Sequence, residues 1–224
     1  MPHPHAGARR GRWAPRGRAW WIGVLFAVGS LCFLVAPFPG FLNAVGSTVD
    51  GVVFFVGSLF FTSAATLQLV DSIEEGSNRL DLWSSLTQLA GTLLFNINTF
   101  RALNAQIGDT SYDRLVWRPD ALGSALFLAS GALAYVAVCG HLLRLPPRTR
   151  PGAISAVNLL GCIAFGVAAV SAYLVPSTGQ VVSTTAANIG TAFGALCFLV
   201  GALLLLPVSA PATQEGVSPL RRSP

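Results

Sequence analysis

Gln88, Thr92 and Asn96 recur every four residues in a stretch without charge, and Ser85 and Thr99 extend the same face. At helical spacing such residues form one stripe. Neutral amides and hydroxyls in that order suit a polar path for a small neutral solute. They equally suit bonding to neighbouring helices, where each is worth about 0.6–2 kcal/mol, and that second use is the better explanation. Asp71, Glu74 and Glu75 fall at i, i+3 and i+4, as a divalent ion would need, but Arg79 is close by as an ion-pair partner and a solvated acidic loop accounts for them. His141 with Arg144 is the one pair on which catalysis would have to rest. No nucleophile elbow, zinc-protease helix, phosphate loop or Cys/His cluster is present, so no catalytic residue, cofactor or metal is expected. Cys32, Cys139, Cys162 and Cys197 all sit inside apolar runs and read as packing residues.

The elements that would hold these residues are set by composition. Only 10% of the 224 residues are charged, 53% are hydrophobic and the mean hydropathy is +0.62. Soluble domains carry about 25% charge, so a water-soluble fold is excluded. Six apolar stretches, each near the ~20 residues that cross ~30 Å of hydrocarbon, fall at about 20–36, 51–70, 82–100, 121–143, 153–175 and 187–206. Turn signals separate them: Pro37 to Gly40, the acidic run Asp71 to Asp81, Gly108-Asp109, Pro146-Pro147 with Pro151-Gly152, and Pro176 to Gly179. No ionisable residue lies mid-span, which argues against a proton-coupled pump.

All fourteen basic residues are arginine. If all six stretches cross, Arg9, Arg10, Arg12, Arg16, Arg18, Arg79, Arg144, Arg148, Arg150, Arg221 and Arg222 fall on one side, against Arg101, Arg114 and Arg118 on the other. Basic loops stay cytoplasmic, so six crossings with both termini cytoplasmic are expected. The first stretch ends at Leu34-Val35-Ala36-Pro37 without a small-x-small cleavage site, which favours a retained helix over a signal peptide. Residues 1–19 form a basic tail suited to anionic lipid headgroups, and 207–224 form a second tail; both are expected to be disordered.

Gly23 to Leu31 and Gly51 to Leu59 are two copies of one phrase. Phe26, Gly29, Ser30 and Phe33 share a helical face, and Phe54, Gly57, Ser58 and Phe61 repeat it. Small residues let helices approach closely in lipid, so Gly29, Ser30, Gly57 and Ser58 are read as notches in a helical hairpin. A fainter echo aligns Asn158 to Gly166 with Asn188 to Gly194, and Gly190 and Gly194 form a second small-residue contact. Trp117-Arg118-Pro119-Asp120 reads as an interfacial anchor followed by a helix start.

The doubled F-x-x-G-S phrase, Phe26 to Ser30 and Phe54 to Ser58, resembles the YrhK-like domain, a two-helix membrane module of bacterial proteins. Gly91 to Asn96 with Thr99, followed by Val116 to Ser124, is similar to bacterial multi-pass proteins that carry that hairpin. The resemblance implies a bacterial inner-membrane protein and brings no functional residues with it.

The expected fold is therefore all-α: one six-helix transmembrane domain over 20–206, with a YrhK-like hairpin over 20–70. The expected function is that of a non-catalytic structural or accessory membrane protein. The alternative is a channel or carrier for a small neutral solute along Gln88, Thr92 and Asn96. Expected partners are the lipid bilayer, anionic headgroups, and a membrane-protein partner or second copy of the chain; no nucleic acid is expected.

Overall fold

The computed structural model describes residues 17–105 and 111–206; the expectations made for the tails up to residue 16 and from residue 207 lie outside them. The chain forms α1 (Arg18–Val35), a short exposed α2 (Pro39–Val45), α3 (Ser47–Glu74), α4 (Arg79–Ala102), a π-helical turn (Asp113–Trp117) leading into α5 (Arg118–Cys139), α6 (Arg150–Ser171) and α7 (Thr184–Leu205). A two-residue hairpin, β1 (Leu174–Val175) against β2 (Gln180–Val181), pairs Leu174 with Val181.

Local chemistry starts and stops these helices. Asn78 caps α4 by accepting from the amides of Leu80 and Asp81, Thr149 caps α6 from Gly152, and Ser183 caps α7 from Ala186. α5 stops at Cys139, short of the expected 143, because Gly140 takes a φ of 88° that ends the helix. α6 stops at Ser171 rather than 175, where the chain turns into the β-hairpin. α3 overruns its expected end and carries Asp71 and Glu74 on a regular helix. The partner of both is Arg18, at 2.6 and 2.7 Å, which corrects the expected pairing with Arg79.

The six long helices alternate in direction and close into a ring. Each packs on its neighbours in sequence, and α7 returns to α1. Arg18 of α1 meets the end of α3, and the Arg150 guanidinium at the start of α6 donates to the carbonyls of Leu204 and Leu206 at the end of α7. The start of α1 lies against the end of α7, where a methyl built on Gly23 would meet Leu206 and Ala202.

The outside of the ring is apolar. Leu31, Leu59, Leu93, Leu122, Ile163 and Leu203 are among the exposed large side chains, one on each long helix. A protein in water rarely shows such a continuous surface, whereas lipid requires it. Five helical segments, those of α1, α3, α5 with its π-helical turn, α6 and α7, are long and apolar enough to cross a membrane. α4 is of similar length, but its hydroxyls and amides lower its hydropathy below that of the other five.

Candidate functional site

The bundle axis is built from one pentapeptide pattern, glycine, small residue, two variable residues and phenylalanine, present on all six long helices. It reads Gly29-Ser30-Leu31-Cys32-Phe33, Gly57-Ser58-Leu59-Phe60-Phe61, Gly91-Thr92-Leu93-Leu94-Phe95, Gly123-Ser124-Ala125-Leu126-Phe127, Gly161-Cys162-Ile163-Ala164-Phe165 and Gly194-Ala195-Leu196-Cys197-Phe198. Only the first two copies stand in a long repeated phrase. The echo of Asn158 to Gly166 in Asn188 to Gly194 does not mark the register of the last two, since Phe193 is 51% exposed and Phe198 is the buried counterpart of Phe165.

The pattern works as three reciprocal latches. In each hairpin the glycine of one helix receives the phenylalanine of the other. A methyl built on Gly29 would lie 2.8 Å from the Phe61 ring, and one on Gly57 would lie 3.1 Å from Phe33. Gly91 faces Phe127 at 2.7 Å and Gly123 faces Phe95 at 3.0 Å; Gly161 faces Phe198 at 2.7 Å and Gly194 faces Phe165 at 2.6 Å. Only glycine leaves room for both ring and backbone at these points. Of the residues read as notches, Gly29, Gly57 and Gly194 are latch glycines, Gly190 packs on Ala164 and Ala168, and Ser30 and Ser58 are buried beside them.

Because alternate helices run in opposite directions, the six phenylalanines form two layers. Phe33, Phe95 and Phe165 make a triangle with centroids 6.3, 6.0 and 5.8 Å apart. Phe198 links Phe61 and Phe127 in the second layer at 5.8 and 6.0 Å. The void inside this plug is about 10 Å³, at the lower limit of what a single water needs.

A chamber lies on each side. The inner chamber, named for the end that carries Arg18, measures about 410 Å³. Its floor is Phe26, Phe61, Phe127 and Phe198, its walls include Ile22, Val138 and Leu205, and its polar groups are Gln68, Asp71, Asp81, Gln88, Ser130, Ser155 and Asn158. The outer chamber measures about 230 Å³ and is lined by Phe33, Phe95 and Phe165 together with Asn98, Thr99, Tyr112, Asp120, Asn188 and Thr191. Asp120 accepts a 3.0 Å hydrogen bond from Asn98, so its carboxylate faces the chamber in addition to opening α5. Burial raises the Tyr112 phenol above its ordinary value, and the charge of Asp120 adds to that. The π-helical turn aims this region: Trp117 donates to the carbonyl of Ala169 at 2.9 Å, and Arg118 pairs with Asp113.

The stripe on α4 divides among three uses. Gln88 lines the inner chamber, where it accepts from Ser130 at 3.3 Å. Thr92 is fully buried and donates to the carbonyl of Leu89 in its own helix. Asn96 donates to Thr62 of α3 at 2.9 Å, between the hydroxyl pairs Ser58–Thr99 at 3.0 Å and Ser72–Ser85 at 2.8 Å. On the α5 side, Ser84 and Ser130 each donate to the other's carbonyl, at 3.0 and 2.9 Å. His141 and Arg144 lie on the exposed connection between α5 and α6, where their backbones form a turn. Among the described residues no group of three or more His, Cys, Asp and Glu residues is placed to hold a metal, and the four cysteines are free thiols.

The repeated pentapeptide is legible in the sequence, and the chambers are not. Asp120, Asp71 and Asp81 stand at or beyond the ends of the expected spans, and only the closing of the ring brings them to chambers on one axis. Comparison with family models, curated proteins and solved structures gives no match to this chain.

Proposed function

We propose that the chain is a bacterial inner-membrane protein with six crossings and cytoplasmic termini, whose axis is a gated, non-catalytic conduit for a small solute. The observation that carries this reading is the pair of chambers, each with a few polar side chains set in a mainly apolar wall, that meet at one phenylalanine plug. Amides such as Gln88 are costly at membrane depth and are kept where water or a solute passes, and the carboxylates Asp71, Asp81 and Asp120 stand at the helix ends of the chambers, where a solute would enter. An apolar constriction between two wet vestibules gates by dewetting, as in channels, or by rearrangement, as in carriers. The arginine distribution and the position of α4 between α3 and α5 support the sixth crossing, and the reading of residues 20–70 as a YrhK-like hairpin rests on the repeated phrase of α1 and α3. Arginines of the N-terminal tail meet anionic headgroups at the cytoplasmic face.

A structural or accessory role, alone or with a membrane-protein partner, is favoured by one observation: the throat is closed to water. Reconstitution in liposomes decides between the two. The conduit reading expects saturable entry of a small polar solute, measured against protein-free vesicles across a panel of polyols, amino acids and ammonium compounds. No entry of any panel member, by the native protein or by one with its plug widened, leaves the accessory role.

A further inference from the structure

The first helix of each hairpin turns one residue to the inner chamber a single turn before its latch. Phe26, Gln88 and Asn158 stand three positions before Gly29, Gly91 and Gly161, and all three line the chamber. Gly91 receives Phe127 and Gly161 receives Phe198, so the two amides lie within about one helical turn of rings that form the chamber floor. Both stand near the middle of their helices. Among the described residues nothing hydrogen-bonds the Asn158 side chain. The Gln88 carbonyl has only the 3.3 Å bond from Ser130, whose hydroxyl is shared with the Ser84 carbonyl, and the Gln88 NH2 has no acceptor among the described residues. Amides at membrane depth that the protein leaves without partners are satisfied by what fills the space they face.

We infer that the floor of the inner chamber seats a small uncharged solute bearing a primary carboxamide, with Gln88 and Asn158 as its hydrogen-bonding partners. The inference rests on the conduit reading of the same axis and names its solute class. Each side chain offers one acceptor and two donors in a plane, and a solute carboxamide presents the same set reversed. One flat group can therefore exchange paired bonds with one amide and still reach the other, whereas a hydroxyl brings a single donor. The third corresponding position is Phe26, and Ile22 and Leu205 continue its side of the chamber, which suits a short alkyl group behind the carboxamide. The carboxylates Asp71 and Asp81, with Arg18, belong to the helix ends at the chamber mouth, away from this level.

The experiment is a ligand-observed NMR titration of the purified full-length chain in lipid nanodiscs, with empty discs as baseline. The probes are isobutyramide, methyl isopropyl ketone, which carries a methyl in place of the amide NH2, and glycerol. Isobutyramide is expected to bind saturably and about tenfold more tightly than the ketone. Asn158→Leu and Gln88→Met should each weaken the amide about fivefold or more and leave the ketone unchanged, and Asn158→Gln should restore part of the loss. If Asn158→Leu fails to fold, Gln88→Met decides alone. Absence of saturable isobutyramide binding, equal binding of the ketone, tighter binding of glycerol, or indifference of the amide to these substitutions overturns the inference. Vesicle uptake of isobutyramide and glycerol, against protein-free vesicles, separates it from the conduit reading. Binding without accelerated uptake of either removes the conduit and leaves the site; glycerol uptake without amide binding does the reverse.

Discussion

The rings of Phe165 and Phe198 stack with centroids 5.4 Å apart and planes 12° from parallel, one ring from each helix of the last hairpin. Phe95 and Phe127 stack likewise at 4.9 Å and 23° in the middle hairpin, whereas Phe33 and Phe61 meet edge to face at 5.7 Å and 79°. Phe33 touches Phe61, Phe95 and Phe165, and so sits where all three hairpins meet.

Removing plug rings should open the axis at a cost in stability. Truncating a buried phenylalanine to alanine costs about 3–5 kcal/mol in well-packed interiors. Phe165→Ala and Phe198→Ala are each expected to lower the melting temperature and raise solute leak into vesicles. Truncating the exposed Phe193 should do neither. Loss of stability with no change in leak would make the plug a packing core only.

Glycine substitutions should divide by what a methyl group meets. Gly91→Ala and Gly161→Ala place a carbon 2.7 Å from a partner ring and about 3.1 Å from a partner carbonyl, an overpacking worth about 1–3 kcal/mol. Gly166, inside α6, and Gly40 have open space around the added atom. Gly166→Ala should be neutral or stabilising by up to about 1 kcal/mol through helix propensity. Gly46 would be a poor control for this series, because its φ of 80° penalises any side chain despite the open space. Thermal melts in detergent would check the order, and a Gly91→Ala protein as stable as Gly166→Ala would contradict the latch.

How much of this was legible varied with the physics involved. Apolar run length sets helix number, and each long helix lies within a few residues of its expected place, because hydrocarbon thickness and proline or glycine breaks act locally. The notches at Gly29 and Gly57 were readable because two long phrases repeat around them. The other four copies were hidden because only glycine, one small residue and phenylalanine are required, while the variable pair changes from Leu-Cys to Ala-Leu. Asp120 was read as a helix start, which it is, but its chamber depends on Asn98 and Tyr112, separated from it by sequence and joined only by tertiary packing. The Arg18–Asp71 pair was missed for the same reason, since 53 residues separate its members.

Topology can be read from labelling. On a cysteine-free background, a single cysteine at Ser177, on the β-hairpin connection, should react with an impermeant thiol reagent in intact cells. One at Arg148, on the exposed loop between α5 and α6, should react only after lysis. The inverse pattern, labelling at Arg148 and protection at Ser177 in intact cells, would remove the sixth crossing, because with a cytoplasmic N-terminus the crossing of α4 sets which side each of the two loops faces.

The α4 stripe should respond residue by residue. Asn96→Leu breaks the bond to Thr62 and leaves that hydroxyl to its own helix, so a loss of about 0.6–2 kcal/mol is expected in a thermal melt. Thr92→Val removes only a bond from Thr92 to the Leu89 carbonyl in the same helix and keeps the buried shape, so its cost should be smaller. Gln88→Met deletes an amide that faces the inner chamber and holds Ser130 weakly at 3.3 Å, while Ser130 keeps its 2.9 Å bond to Ser84. It should leave the melting temperature nearly unchanged and alter solute binding instead. A melt in which Gln88→Met is the most damaging of the three would mean that Gln88 is a structural residue, and that the polar wall of the inner chamber belongs to the packing of α4 on α5 and not to a solute.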